Sequence, residues 1–280
     1  MASRARRRSA AVRLVTLSSD VGAAYAAQMK AVLLRELPPE RVVDLAHDLR
    51  AHDVAEAAFV VRAMAERFPA GTVHLVVVDP GVGGHRAPLG VACADGSFAV
   101  GPDNGVLVPL VRALGGGTAY RLDPRRVSAT PRVGTTFDGR DLFAPAAARL
   151  ALGVPLDRLG RRSRLSRPAT TGPRRLPHGA VGRVVHADRF GNLVTNVPTA
   201  WLPERPGALL VRIGGRQRRL PRAANYEAGA ARRPVVLGSS FGTLEIAVPR
   251  GRADDRLGVT AGAPVAFAWG PTAAARRRKG

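Results

Sequence analysis

Apolar and polar positions alternate along the first half of the chain in a strand–helix–strand rhythm. Val12–Leu17 is a short apolar run that ends in Ser18-Ser19-Asp20, the pattern of a strand entering a loop. Tyr25–Leu37 carries apolar residues at helical spacing and stops at Pro38-Pro39. Val42–Leu45 is a second strand. Asp53 stands where it caps a helix over Val54–Phe68, closed by Pro69-Ala70-Gly71. Thr72–Val78 is nearly continuous and β-branched, which predicts a strand buried on both faces. Leu89–Cys93 and Phe98–Gly101 flank Asp95-Gly96 as a hairpin, and Val106–Leu114 and Arg140–Leu152 read as helices. This order predicts an α/β domain with a mostly parallel sheet and flanking helices.

Beyond a stretch rich in Pro, Ser, Thr and Arg the pattern changes to strands alone. Leu209–Ile213, Gly214-Gly215 and Arg216–Leu220 form a hairpin with a two-residue glycine turn. Val181–His186, Val235–Leu237, Leu244–Val248 and Pro264–Trp269 are further strands. The second half is expected to be a smaller antiparallel β domain. The boundaries read as a basic, disordered tail at 1–11, the α/β domain at 12–165, a linker at 166–178, a barrel-like β domain at 179–270 and a second basic tail at 271–280.

Charge changes this picture little. The 280 residues hold 43 basic and 21 acidic side chains, a net +22. An acidic partner such as nucleic acid is the first thought. However, Arg4–Arg8 and Arg276–Lys279 lie in the tails, and other Arg clusters lie in the linker. No aromatic residues interleave with them as base-stacking platforms do, which argues against specific nucleic-acid recognition. No apolar run reaches the roughly 18 residues of a membrane span, and the basic N-terminus leads into no apolar leader core. A cytoplasmic protein is expected. One cysteine, Cys93, excludes an intramolecular disulfide and a Cys-based zinc cluster. The six histidines show no ligand spacing, so no metal is expected, and His74, inside an apolar strand, reads as a core histidine.

The chemistry-bearing segments sit at strand ends, where open α/β sheets bind ligands. Ser18-Ser19-Asp20-Val21-Gly22 offers a carboxylate that either accepts from a ribose diol or caps a helix. Asp79-Pro80-Gly81-Val82-Gly83-Gly84-His85-Arg86 sets a carboxylate and an arginine seven residues apart around a glycine-rich turn. It is neither a Walker loop nor the dinucleotide fingerprint. Gly101–Gly105 reads as turn chemistry. Phe137-Asp138-Gly139-Arg140-Asp141 is a second carboxylate–arginine group, with helix capping by Asp138 as its plain reading. In the second half, Asp188–Asn196 and Ser239–Glu245 place aromatic, amide and hydroxyl groups that either meet a purine or turn a hairpin.

Taken together these segments resemble the S-adenosyl-L-methionine hydroxide adenosyltransferases, relatives of the fluorinases and chlorinases. The matching pieces run in order. They are Ser19–Gly22, Tyr25–Lys30 (YAAQMK), Val43–His47 (VDLAH), Val77–Gly83 (VVDPGVG), Gly101–Gly105 (GPDNG), Gly139–Pro145 (GRDLFAP), Phe190–Asn196 (FGNLVTN) and Leu244–Ala247 (LEIA). The resemblance implies hydrolysis of S-adenosyl-L-methionine to adenosine and L-methionine, by water attack at ribose C5′, with no cofactor. It implies a homotrimer with the substrate at subunit interfaces. It assigns catalysis to Asp79, Arg86 and the position of Asp138, where the family carries His. Asp20 would hold the ribose diol, and Asp188 and Asn192 the methionine or ribose, with Phe190 packing nearby. Ser240 and Glu245 would lie near the methionine end or adenine. The loop after Asp20 is shorter than the family's, with Ala23-Ala24 leading straight to Tyr25. The Asp138 departure leaves a binding protein with little turnover as the alternative. A halogenase or a polyanion-binding protein are the remaining readings.

Overall fold

The structure is a computed structural model describing residues 12–128, 134–166, 172–203 and 208–269. The chain divides into two compact units, Met1–Ala169 and Thr170–Gly280. The two expected disordered tails, 1–11 and 271–280, fall outside the described residues.

The first unit runs β1 (Val15–Ser19), α1 (Gly22–Leu34), β2 (Val42–Ala46), α2 (Val54–Ala65), β3 (Val73–Val77), β4 (Pro88–Cys93), β5 (Phe98–Pro102), α3 (Leu107–Ala113) and β6 (Gly117–Leu122). The one-turn α4 (Pro124–Val127) follows, then a π-helical turn at Gly139–Phe143 that continues into α5 (Ala144–Ala151), the one-turn α6 (Leu156–Leu159) and β7 (Gly160–Arg162). Its seven strands are ordered β2-β1-β3-β5-β4-β6-β7. The four strands β2, β1, β3 and β5 are parallel, and β4, β6 and β7 are added antiparallel. The expected mostly parallel sheet is therefore mixed. The reason is local: β4 returns to β5 through the tight Asp95-Gly96 turn, which permits only antiparallel pairing. Strands β6 and β7 lack an apolar run and were not legible, and β7 takes Arg161 and Arg162 from the basic stretch.

Both faces of the sheet are covered, as the β-branched run of β3 requires. Val73, Leu75 and Val77 join Val15 and Leu17 in a core with α1 and α5. Val76 and Val78 join Leu89 and Val91 in a second core with α2 and α3. Asp53 caps α2 as expected, accepting from the Ala55 and Glu56 N–H groups at 3.1 and 2.9 Å. The helix expected over Arg140–Leu152 instead opens with the π turn. Gly139 has no room for a side chain, since a Cβ there would lie 2.6 Å from Met29 Sδ and 3.1 Å from Val77 Cγ1. That close approach seats the turn against α1 and β3, and with it the preceding Asp138.

The second unit contains β8 (Arg174–Leu176), β9 (Gly179–Ala187), β10 (Leu193–Pro198), β11 (Leu209–Ile213), β12 (Arg216–Leu220), β13 (Val235–Gly238), β14 (Thr243–Ala247), α7 (Ala253–Leu257) and β15 (Pro264–Ala268). Seven strands follow the order β12-β11-β15-β9-β10-β14-β13, with β8 on β9. A bridge from Arg222 to Val236 joins the two ends and nearly closes the antiparallel sheet into a barrel. Residues 174–176 of the expected linker are thus a strand. No helix among the described residues is long and apolar enough to cross a membrane.

Candidate active site

The parallel strands bring their carboxyl ends to one edge of the first unit. Asp20 follows β1 and Asp79 lies two residues beyond β3. Asp20 does not cap α1. The capping position of that helix is Val21, with no side-chain cap bond, and Asp20 Oδ2 accepts the His52 N–H at 2.8 Å instead. Asn104, after β5, braces its own turn: Nδ2 donates to Val78 O at 2.8 Å, and Oδ1 accepts the Val106 N–H at 3.2 Å. The turn reading of Gly101–Gly105 accounts for the Val106 bond, while the Val78 bond ties the turn to the residue before Asp79.

Asp79, Arg86 and Asp138 meet. The Arg86 Nε donates to both Asp79 oxygens, at 2.9 and 2.8 Å. Its Nη2 bonds Asp79 Oδ2 as well and reaches Asp138 Oδ2 at 2.6 Å. One guanidinium thus forks between two carboxylates 59 residues apart in sequence, and only arginine has donors spread to do so. The three side chains are 5%, 11% and 4% exposed for Asp79, Arg86 and Asp138. Asp138 does not cap its helix, so the capping reading gives way to the ion pair. Arg86 also lies over the Phe143 ring, 5.8 Å from its centre. His85 is exposed.

Asp20, Asp79 and Asp138 line one cavity of about 400 Å³, together with Tyr25, His52 and Phe137. Tyr25 and Phe137 meet edge to face at 5.3 Å. Arg140 lies over Phe137 at 5.2 Å, held by Asp141 through two bonds of 2.6 and 3.0 Å. A cavity lined by apolar and aromatic side chains together with three carboxylates suits a cationic ligand bearing a flat or apolar body. Among the described residues no group of three or more His, Cys, Asp and Glu is arranged to hold a metal ion. His74 is a core residue as expected: its Nδ1 lies 2.9 Å from Thr16 Oγ1, and burial pushes its pKa down to about 4. Cys93 is buried, and burial, then Asp95, pushes its thiol pKa up to about 12.

The second unit gathers a separate polar cluster. Asp188 Oδ1 accepts the N–H groups of Phe190 and Asn192, each at 2.9 Å, and its Oδ2 accepts from Asn192 Nδ2 at 2.9 Å. Asn192 Nδ2 also reaches the Tyr226 hydroxyl at 3.4 Å, and that hydroxyl donates to Glu245 Oε1 at 2.7 Å. Burial raises the pKa of Glu245, with Asp188 adding to the shift and the Tyr226 bond opposing it. Burial, then Glu245, raises that of Tyr226. Phe190 is 67% exposed. Ser240 is exposed and takes no part in these bonds. The sequence reading missed Tyr226 and His52. Tyr226 sits in a loop with no periodic signal, and His52 enters the site through the backbone at a positive φ of 67°.

A mixed α/β unit with a cavity at its strand ends, followed by a near-barrel β unit, defines a two-unit α/β-plus-β class of protein. The family model of the SAM hydroxide adenosyltransferase N-terminal domain matches residues 15–160, and that of the C-terminal domain matches residues 182–266. The chain belongs to the SAM hydroxide adenosyltransferase family. It is 39% identical over 262 residues to a protein of Thermus thermophilus named (R)-S-adenosyl-L-methionine hydrolase, covering 91% of this chain and 99% of that one. A Salinispora tropica protein of the same name is 38% identical, covering 89% and 95%. A fluorinase of Nocardia brasiliensis is 28% identical, covering 66% and 71%. The solved structure of an uncharacterized conserved protein from Thermotoga maritima superimposes with a TM-score of 0.84 at 30% identity, covering 91% of this chain and all of that one.

Proposed function

We propose that this chain hydrolyses S-adenosyl-L-methionine to adenosine and L-methionine. The observation that carries the reading is the buried Asp79–Arg86–Asp138 cluster beside a cavity, in a chain whose full-length relatives are named for this reaction. Water forms a bond to ribose C5′ as the C5′–S bond breaks, and the electron pair leaves on sulfur as the neutral thioether of methionine. The proton lost by water passes to a carboxylate and then to solvent. The sulfonium is already a good leaving group, so the work left is to desolvate, align and deprotonate water. Carboxylates lining the cavity favour a sulfonium and repel a halide. In this reading Asp20 holds the ribose diol. Asp188 and Asn192 contact methionine or ribose, with Phe190 packing nearby, and Ser240 and Glu245 serve the methionine end or adenine. The reaction as written needs no cofactor.

Purified protein incubated with S-adenosyl-L-methionine is expected to release adenosine and methionine in equal amounts, followed by chromatography. Added chloride should give no chlorinated nucleoside. The relatives' names specify the (R) sulfonium epimer, so (R) substrate is expected to turn over faster than (S). Adenosine no higher than from an Asp79→Ala control would sink the proposal, and bound but unconverted substrate would favour the binding-protein reading.

The assembly proposed is the homotrimer that the family resemblance implies. Light scattering of the eluting protein should then give three times the 29.4 kDa chain mass; a monomer mass would rule the trimer out.

A further inference from the structure

A second hydrogen-bonded chain lies beside the cavity, and the chemistry above does not use it. Ser19 Oγ is 2.9 Å from His47 Nδ1, His47 Nε2 is 3.0 Å from Asp44 Oδ1, and Lys30 Nζ donates to Asp44 Oδ2 at 2.5 Å. Burial pulls the Asp44 carboxyl upward, but the bonds from Lys30 and His47 outweigh it and hold the group below the usual carboxylate range. An ionised Asp44 only accepts, so His47 Nε2–H donates to it, which leaves Nδ1 as the ring atom that meets the Ser19 hydroxyl.

The three residue types match a serine nucleophile and its helpers, but the geometry does not. Ser19 is fully buried. The ring is also reversed: in a catalytic triad Nε2 faces the serine and Nδ1 the carboxylate.

Its placement suggests a different role. Backbone pairing between β1 and β2 shifts register after Leu17 and ends at Ser18 with Ala46. Beyond that point the Ser19–His47 bond carries the connection. Ser19 is followed by Asp20, and His47 starts the segment that ends in Ala51 and His52. All three of Asp20, Ala51 and His52 line the cavity. The far end of the segment is tied back by the His52 N–H on Asp20. The segment is thus fastened to the tip of β1 at both ends.

We propose that His47 is a positioning residue: hydrogen-bonded between Ser19 and Asp44, it fixes residues 47–52 against the tip of β1 and so sets the cavity wall made by Asp20, Ala51 and His52. Its readout rests on the hydrolase reading. Steady-state hydrolysis of S-adenosyl-L-methionine is compared for the unaltered chain, His47→Ala, His47→Asn and His47→Gln, with thermal unfolding as the folding check. His47→Ala is expected to raise KM about ten-fold, the scale of a displaced binding contact, and to change kcat less than about three-fold. An Asn amide reaches the place of Nδ1 and should recover most of the KM. A Gln amide reaches the place of Nε2 and should not. If the Ala variant does not fold, the Asn and Gln variants make the comparison. A KM within two-fold of the unaltered chain, a kcat loss at constant KM, or equal rescue by Gln and Asn would overturn the role. Failure of the hydrolase reading looks different, because the unaltered chain itself would then make no adenosine.

Discussion

In an Asp138→Asn chain, kcat for adenosine formation is expected to fall about a hundred-fold or more, the scale of losing a general base. The substitution is close to isosteric, and the amide oxygen can still accept the Arg86 Nη2 bond that Asp138 takes at 2.6 Å. What disappears is the capacity to take a proton, together with one carboxylate charge. Single-turnover measurement with bound substrate isolates the chemical step from binding. A loss smaller than three-fold would assign proton removal to Asp79. Asp138→His sharpens the test, since it installs the residue that the family resemblance implies. It should keep turnover and add a limb to the pH–rate profile near the ordinary histidine pKa of about 6.5. The rate should fall as pH drops through that limb, because only the neutral ring is a base. A profile with no new limb would mean that position 138 does not handle the proton.

Arg86→Ala should remove activity and also destabilise the fold. Asp79 and Asp138 are each about 5% exposed or less. Without the guanidinium the two buried carboxylates lose the donor they share. Removing one partner of a buried ion pair costs about 3–5 kcal/mol. The repulsion would push one carboxyl pKa above its unfolded value. The sign follows from that shift. A carboxyl raised on folding adds stability below its unfolded pKa, and that stability is lost as pH rises through the folded value. The variant's deficit should therefore be larger at pH 8 than at pH 4.5 when urea midpoints are compared with the unaltered chain. Arg86→Lys should recover part of the stability but little of the rate, since an ammonium is a point charge and cannot span both carboxylates from Nε and Nη2. An equal deficit at both pH values would show that the two carboxylates do not depend on Arg86.

Much of the site was legible because its parts are local. Asp79 and Arg86 lie seven residues apart on one loop, and a turn that short leaves them within reach of each other. The strand β3 announced itself through β-branched residues on both faces, and the Asp53 cap through its place before a helical period. The parts that were not legible depend on distance or on backbone. Strands β6 and β7 are half-exposed and have weak apolar runs, so their pairing shows only once β4 offers an edge. Tyr226 reaches Glu245 from a loop whose own residues carry no pattern. His52 contributes an N–H, which every non-proline residue has.

Eight short segments in order pointed to the family and to which carboxylates to watch, and the change of pattern beyond the Pro- and Arg-rich stretch gave the two-part organisation, because those choices are written in residue identity and local spacing. Whether Asp20 and Asp138 cap their helices was decided only by tertiary structure. Both lie where a cap belongs, and local preference alone favours that role. The packed sheet gives Asp20 a backbone donor 32 residues away and gives Asp138 a guanidinium 52 residues away. For Asp138 a charged bond to a largely buried guanidinium outweighs a local cap, and for both residues the partner is in reach only after the chain has folded.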